Sequence, residues 1–268
     1  MNKRAKTCIT GYASLSLIAL TMLLTQQGQI QAEIKQVKSN NEKIQQENDM
    51  QLKKLEDELL KIEENIRNEK LKYIEELEDK IAYLKQDVIY KSSDVSVKAN
   101  VTAPQLYRAL EKLSPESSTL KELAWVISEA CTDYGVNELF LAALIAQETG
   151  YGTSRRFIQD NNVGGYEVYT PKSKGRLFTS REESVRAVAK LLGIHYLDKE
   201  GMYYEGKSAR DVNTRYCTSS EGGQYEWSKN INKIAYDIKE AIEEDKKLRI
   251  NELTKELEDK TNELKEDI

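Results

Sequence analysis

Ala142-Ala143-Leu144-Ile145-Ala146-Gln147-Glu148-Thr149-Gly150-Tyr151-Gly152 reads as the closing turns of a buried helix with an acid at its end. Upstream, Asn137 is of the type that caps a helix start, and Leu141, Leu144 and Ile145 follow at helical spacing. Continued along the same face, the count arrives at Glu148. Gly150 and Gly152 stop the helix, so Glu148 falls in its last turn. An ionised carboxylate is costly to bury without a partner, and the usual response is a raised pKa. A carboxyl group that keeps its proton near neutral pH is suited to general-acid chemistry. The competing reading is a structural Glu satisfied by a buried Arg or by backbone donors, and the pattern alone leaves both open.

Outward from this stretch, residues 105–245 read as a mostly helical globular domain. Leu120, Leu123, Ala124, Ile127, Cys131 and Tyr134 form one apolar face that ends near Gly135. Residues 149–179 read as loop, with Asn161-Asn162-Val163-Gly164-Gly165-Tyr166 at the centre. Ser180-Arg181-Glu182-Glu183 has the form of a capping box that opens a helix through Val185, Val188, Ala189 and Leu192. Ser208 and Asp211 suggest a short helix up to Tyr216. A final helix carries Trp227, Ile231, Ile234, Ile238 and Ile242. Four or five helices thus supply the core.

The chain is 268 residues long, 32% charged and only 7% aromatic, too polar for one uniform globule. Long solvated helices attached to a smaller core fit that balance. Net charge is −5 with both signs interspersed, and no basic block points to nucleic acid. Cys8, Cys131 and Cys217 lack metal-ligand spacing and His195 is the single histidine, so no metal site or cofactor is expected. Cys131 and Cys217 are read as thiols rather than as a pair. His195, in step with Leu192 and Val188, reads as a core residue.

Residues 1–32 read as a membrane anchor or signal peptide. Lys3, Arg4 and Lys6 precede the uncharged run Cys8 to Leu24, a bias that sends the rest of the chain outward. The domain is therefore expected outside the cell membrane, anchored by a single pass or secreted to the cell wall. Residues 33–91 read as a coiled-coil stalk. Leu55, Leu59, Ile62 and Ile66 alternate steps of four and three, and Leu77, Ile81, Leu84 and Val88 repeat the pattern after a stutter. Self-association of this stalk is the expectation, with a single charged helix or a hairpin against another part of the chain as the alternative. Residues 92–104 lose the periodicity and read as a linker. Residues 246–268 continue as a charged helical tail with a thin seam at Ile250, Leu253, Leu257 and Leu264.

Four motifs in order carry a resemblance. Glu148-Thr149-Gly150-Tyr151-Gly152-Thr153-Ser154 resembles the Glu-Ser-Gly-Trp-Gly-x-Ser motif of the glucosaminidase domain, glycoside hydrolase family 73. Asn161 to Tyr166 is similar to its Asn-Asn-Leu-Phe-Gly-Ile motif. Phe178-Thr179-Ser180 with Glu183-Ser184 resembles the segment that opens its next helix. Arg215-Tyr216-Cys217-Thr218, followed by Trp227, resembles its Arg-Tyr-Ala-Thr segment. The match covers about residues 115–242.

The resemblance implies a lysozyme-like helical fold that cleaves the glycan strand of bacterial peptidoglycan, with Glu148 in the catalytic acid position. It implies that Tyr216 lines the cleft, that Tyr151 stands where the family usually has Trp, and that Asn162, Tyr166 and Tyr169 belong to the substrate-binding loop. The family usually places a second carboxylate on a lobe after the Asn-Asn motif. Here Gly164 to Phe178 is short, and Glu167 is its one acid. A two-carboxylate mechanism needs a base or nucleophile roughly 5–9.5 Å from the acid, and Glu167 is the candidate. With one acid alone, the substrate's 2-acetamido group or the muramic acid 6-hydroxyl could attack instead, so a lytic transglycosylase or a muramidase using Glu148 alone is the alternative to an endo-β-N-acetylglucosaminidase. A non-catalytic wall-binding module and a structural stalk protein are the readings from other classes.

Overall fold

The structure is a computed structural model that describes residues 3–168, 175–217 and 225–266, with side chains at 17 and from 20 onward. Tyr169 falls outside the described residues. The chain divides into two compact units, residues 1–72 and 73–268. It is mostly α-helical, and no strand occurs among the described residues.

The first unit is a single helix, the greater part of α1 (Lys3–Leu84). Leu55, Leu59, Ile62 and Ile66 are 62, 56, 54 and 48% exposed, so this stretch of seam is unfilled. Among the described residues no helix is long and apolar enough to cross a membrane. The expected anchor at Cys8 to Leu24 lies largely on residues whose side chains are not described.

In the second unit the last turns of α1 meet α8 (Glu226–Glu266), which continues without a break from the domain into the tail. Three contacts set the register: Tyr73 Oη donates to Glu256 (2.6 Å), Lys246 Nζ to the Gln86 carbonyl (2.6 Å), and Val88 N–H to Glu243 (3.2 Å). As one number rises the other falls, so the two stretches run antiparallel. Leu77 and Ile81, 1% and 6% exposed, lie between these anchors. This half of the expected oligomer seam is therefore covered within the chain, alongside α8.

The stalk was expected to run to residue 91, but α1 ends at Leu84. Val88 and Tyr90 are drawn into the domain core instead, at 2% and 6% exposure. The stretch read as a linker over 92–104 is a strap built into the same core. Val95, Ala99 and Val101 are buried. Val95 N–H donates to the Lys207 carbonyl, Asn137 N–H to Val95, and Ile89 N–H to Ala99. The segment has too few apolar residues at helical spacing to signal burial, and only its fit against other elements reveals it. Its last residues open α2 (Ala103–Leu113), where Thr102 and Gln105 form a capping box and proline occupies the first turn.

A 3₁₀ turn at Leu120–Leu123 leads into α3 (Ala124–Tyr134), which Gly135 closes in the left-handed conformation. Next comes α4 (Glu138–Thr149), the centre of the domain, buried from Glu138 to Ala146 on every side. A helix apolar all round is a core helix. It packs chiefly on α8, while α2 packs on α8 and α3, and α3 on α6. A five-residue helix, α5 (Arg155–Gln159), interrupts the stretch expected as loop. It is followed by α6 (Arg181–Leu191), a π-helical turn at Leu192–Leu197, and α7 (Ala209–Tyr216) with its Ser208–Asp211 capping box. Cys131 is buried in the core and Cys217 half-buried, with no disulfide between them. His195 lies half-buried, edge-on to Tyr203.

Candidate active site

Asn137 sets the position of α4. Its side-chain oxygen accepts from Leu139 and Phe140 N–H at 3.0 and 3.1 Å, and its amide donates to the Ile89 and Val97 carbonyls of the strap. Glu138, also buried, accepts the Ala99 N–H at 2.8 Å. At the other end Thr149 folds its hydroxyl back to the Ile145 carbonyl and accepts the Gly152 N–H. Gly150, Tyr151 and Gly152 then follow one another at positive φ, which reverses the chain just beyond Glu148.

Glu148 is only partly buried, with its carboxyl group enclosed by protein atoms. Trp227 Nε1 donates to its Oε1 at 2.8 Å. Burial pushes the carboxyl above the ordinary Glu range, and the Trp227 N–H pulls it part of the way back.

The second wall of the site is the Asn-Asn motif. Asn161 and Gly165 adopt positive φ. Val163 N–H donates to the Ser184 hydroxyl of α6 at 3.0 Å. Gly164 presses on α6 so closely that a Cβ there would come within 2.5 Å of Val188 Cγ2. A Cβ on Gly165 would stand 3.2 Å from Glu148 Oε2. Close approach thus requires glycine at 164 and positive φ favours it at 165, where backbone rather than a side chain meets the carboxyl.

Asn162 was expected to bind substrate. Its side chain is committed to the loop: it donates to the Tyr166 and Arg176 carbonyls and accepts the Tyr166 N–H, at 2.8–3.0 Å, with 2% of the residue exposed. It clasps Tyr166 and Arg176 together. Tyr166, half-buried, packs edge-on against Phe178, with the Arg176 guanidinium over its ring at 5.7 Å. Tyr151 is half-buried against the core, and burial raises its phenol pKa. Tyr216 donates its hydroxyl to the Gly164 carbonyl at 2.9 Å. Its ring lies 5.1 Å from that of Trp227 at 31°, and 5.7 Å from Tyr196. Burial first, then the neighbouring Glu148, pushes the Tyr216 phenol well above its ordinary range, so it stays neutral.

Glu167 is 49% exposed on its side chain and stands 4.0 Å from Arg176 Nη1. Glu183 accepts from the Thr179 N–H and hydroxyl at 2.9 and 2.6 Å, bonds that hold it below the ordinary range and occupy it at the start of α6.

The structure therefore joins Glu148, Tyr216 and the Gly164–Gly165 turn, and gives Asn162 a supporting place. Sequence reasoning missed Trp227 as the partner of Glu148. The two are far apart in sequence, and in its own helix Trp227 looks like one more core residue.

Residues 124–240 match the Glucosaminidase family model, described as mannosyl-glycoprotein endo-beta-N-acetylglucosaminidase. Two proteins from different strains of Streptococcus pneumoniae, each named "Putative endo-beta-N-acetylglucosaminidase", are 24% identical over 151 residues, or 56% of this chain. The chain spans 22% and 21% of the length of these relatives.

Proposed function

We propose that the glucosaminidase domain at residues 124–240 makes this chain an endo-β-N-acetylglucosaminidase acting on the glycan strand of bacterial peptidoglycan, with Glu148 as general acid. One observation carries the assignment: a partly buried carboxyl, raised by burial, meets the Trp227 N–H at 2.8 Å on one oxygen and a side-chain-free glycine at the other. A neutral carboxyl in that setting gives its proton to a glycosidic oxygen and leaves as a carboxylate that the indole still supports.

Tyr151, Tyr166 and Tyr216 supply aromatic walls suited to sugar rings. Asn162 serves by fixing the loop that carries Tyr166. Glu167 is the candidate second carboxylate. A single-acid reaction is the second reading, favoured by the placement of Glu167, half-exposed and 4.0 Å from Arg176. Assistance from the substrate's 2-acetamido group fits such a site.

The exposed seam from Leu55 to Ile66 supports self-association of the N-terminal helix, and the charge bias before residue 8 supports display of the domain outside the membrane.

The test is mass spectrometry of purified peptidoglycan digested with the full chain. Fragments with reducing N-acetylglucosamine ends are expected. Uncleaved wall, or fragments carrying only 1,6-anhydro muramic acid ends, would overturn the reading.

A further inference from the structure

An indole N–H can donate a hydrogen bond but cannot accept one. Trp227 Nε1 ends 2.8 Å from Glu148 Oε1. A hydroxyl at Oε1 would set that oxygen's own hydrogen in competition with the indole for the same site. A carbonyl oxygen is the stronger acceptor of the two, so neutral Glu148 favours its carbonyl at Oε1 and its hydroxyl at Oε2. Oε2 is the oxygen that faces Gly165, with 3.2 Å to the place a Cβ would take.

We propose that Trp227 is a positioning residue that assigns the acid proton of Glu148 to Oε2, and that Gly165 keeps that proton within reach of substrate. The proposal rests on the reading of Glu148 as general acid. The same network fixes both parts. Tyr216 stacks on the Trp227 ring at 5.1 Å and holds the Gly164 carbonyl at 2.9 Å, so the donor and the gap move together. Among the described residues, Trp227 from α8, Tyr216 from α7 and the Gly165 backbone face Glu148. Of these only Tyr216 titrates, and it stays neutral across the working range.

On transfer, the Oε2–H bond breaks and its electron pair remains on the carboxylate. The proton goes to the leaving sugar's oxygen, which also takes the pair of the C1–O bond. Water, directly or after the 2-acetamido group, supplies the pair for the new bond at C1 and gives up a proton to solvent. Throughout, Oε1 remains an acceptor for the indole.

Two measurements test this. In the unmutated chain, the Trp227 indole N–H resonance should shift with the same midpoint as the Glu148 carboxyl carbon followed by 13C NMR. Trp227→Phe keeps the stacked ring and removes the donor. It should raise the Glu148 midpoint by about one pH unit, lower kcat about tenfold or more with KM nearly unchanged, and move the alkaline limb of the kcat profile upward. An indole resonance that ignores the Glu148 titration would overturn the proposal, as would a folded Trp227→Phe chain with an unchanged midpoint. The titrations need no substrate, so they separate failure of this inference from failure of the glucosaminidase reading, which wall digests decide.

Discussion

Tyr216 Oη lies 2.9 Å from the Gly164 carbonyl, so one phenol ties α7 to the loop that faces Glu148. Tyr216→Phe keeps the stack on Trp227 and removes this single bond. The carbonyl loses a partner, at about 1–2 kcal/mol, and the Gly164–Gly165 turn loosens over the carboxyl. Urea melts should show that loss, and kcat/KM on peptidoglycan should fall roughly tenfold, as expected for ~1.4 kcal/mol of lost positioning. A fall of a thousandfold would give Tyr216 a direct part in the chemistry.

Glu148→Gln should lower turbidity clearing of cell walls by ~10²–10⁴ or more while the fold persists. Its effect on stability has a definite sign. The folded-state pKa is raised above the unfolded value, so the folded chain holds this proton more tightly. The associated stability is complete below the unfolded Glu value of about 4.3 and is lost as pH rises through the folded pKa. The Gln variant is free of that loss. Its advantage over the unmutated chain in thermal melts should therefore grow from pH 4 to pH 7. A constant difference across that range would remove burial as the cause of the shift.

Asn137→Ala should be the costliest of these changes for stability. The residue is fully buried, caps α4 through two N–H groups and donates to two strap carbonyls. A lost cap costs ~1 kcal/mol, and unpaired buried carbonyls add ~1–3 kcal/mol. A denaturation midpoint within error of the unmutated chain would show that the strap does not depend on this residue.

Glu167→Gln counts the carboxylates. The half-exposed side chain beside Arg176 has solvent on one side and a cation on the other. With Glu148 as the single acid, turnover should stay within a few-fold. A loss of ~10² or more, the size expected for a missing base, would make Glu167 the second carboxylate.

The stalk prediction is confined to the exposed seam. Leu59→Asn with Ile62→Asn should abolish self-association in sedimentation of the full chain, because polar groups at successive seam positions have no partners across a helix pair. A unmutated chain that sediments as a monomer at high concentration would refute the oligomer.

Local signals were enough to place most helices in this chain. Asn137, Gly135, Gly150, Ser180 and Ser208 act within a turn of their own position, so each cap or stop can be read from its neighbours and all five stand where the pattern put them. Glu148 could be singled out for the same reason, from the count along one helix and a local motif. What the sequence could not determine is who meets whom. The Leu77–Ile81 seam has the same spacing whether it faces a second chain or α8, and only the fold brings α8 alongside it. Val95 and Ala99 carry no periodic signal, and they are buried because Lys207 and Asn137 come from elsewhere to pair the strap's backbone. Trp227 follows Glu148 by 79 positions, and its N–H finds the carboxylate only after α4 and α8 have packed. Spacing along a helix is fixed by the backbone repeat, but contacts between helices depend on the whole core closing at once.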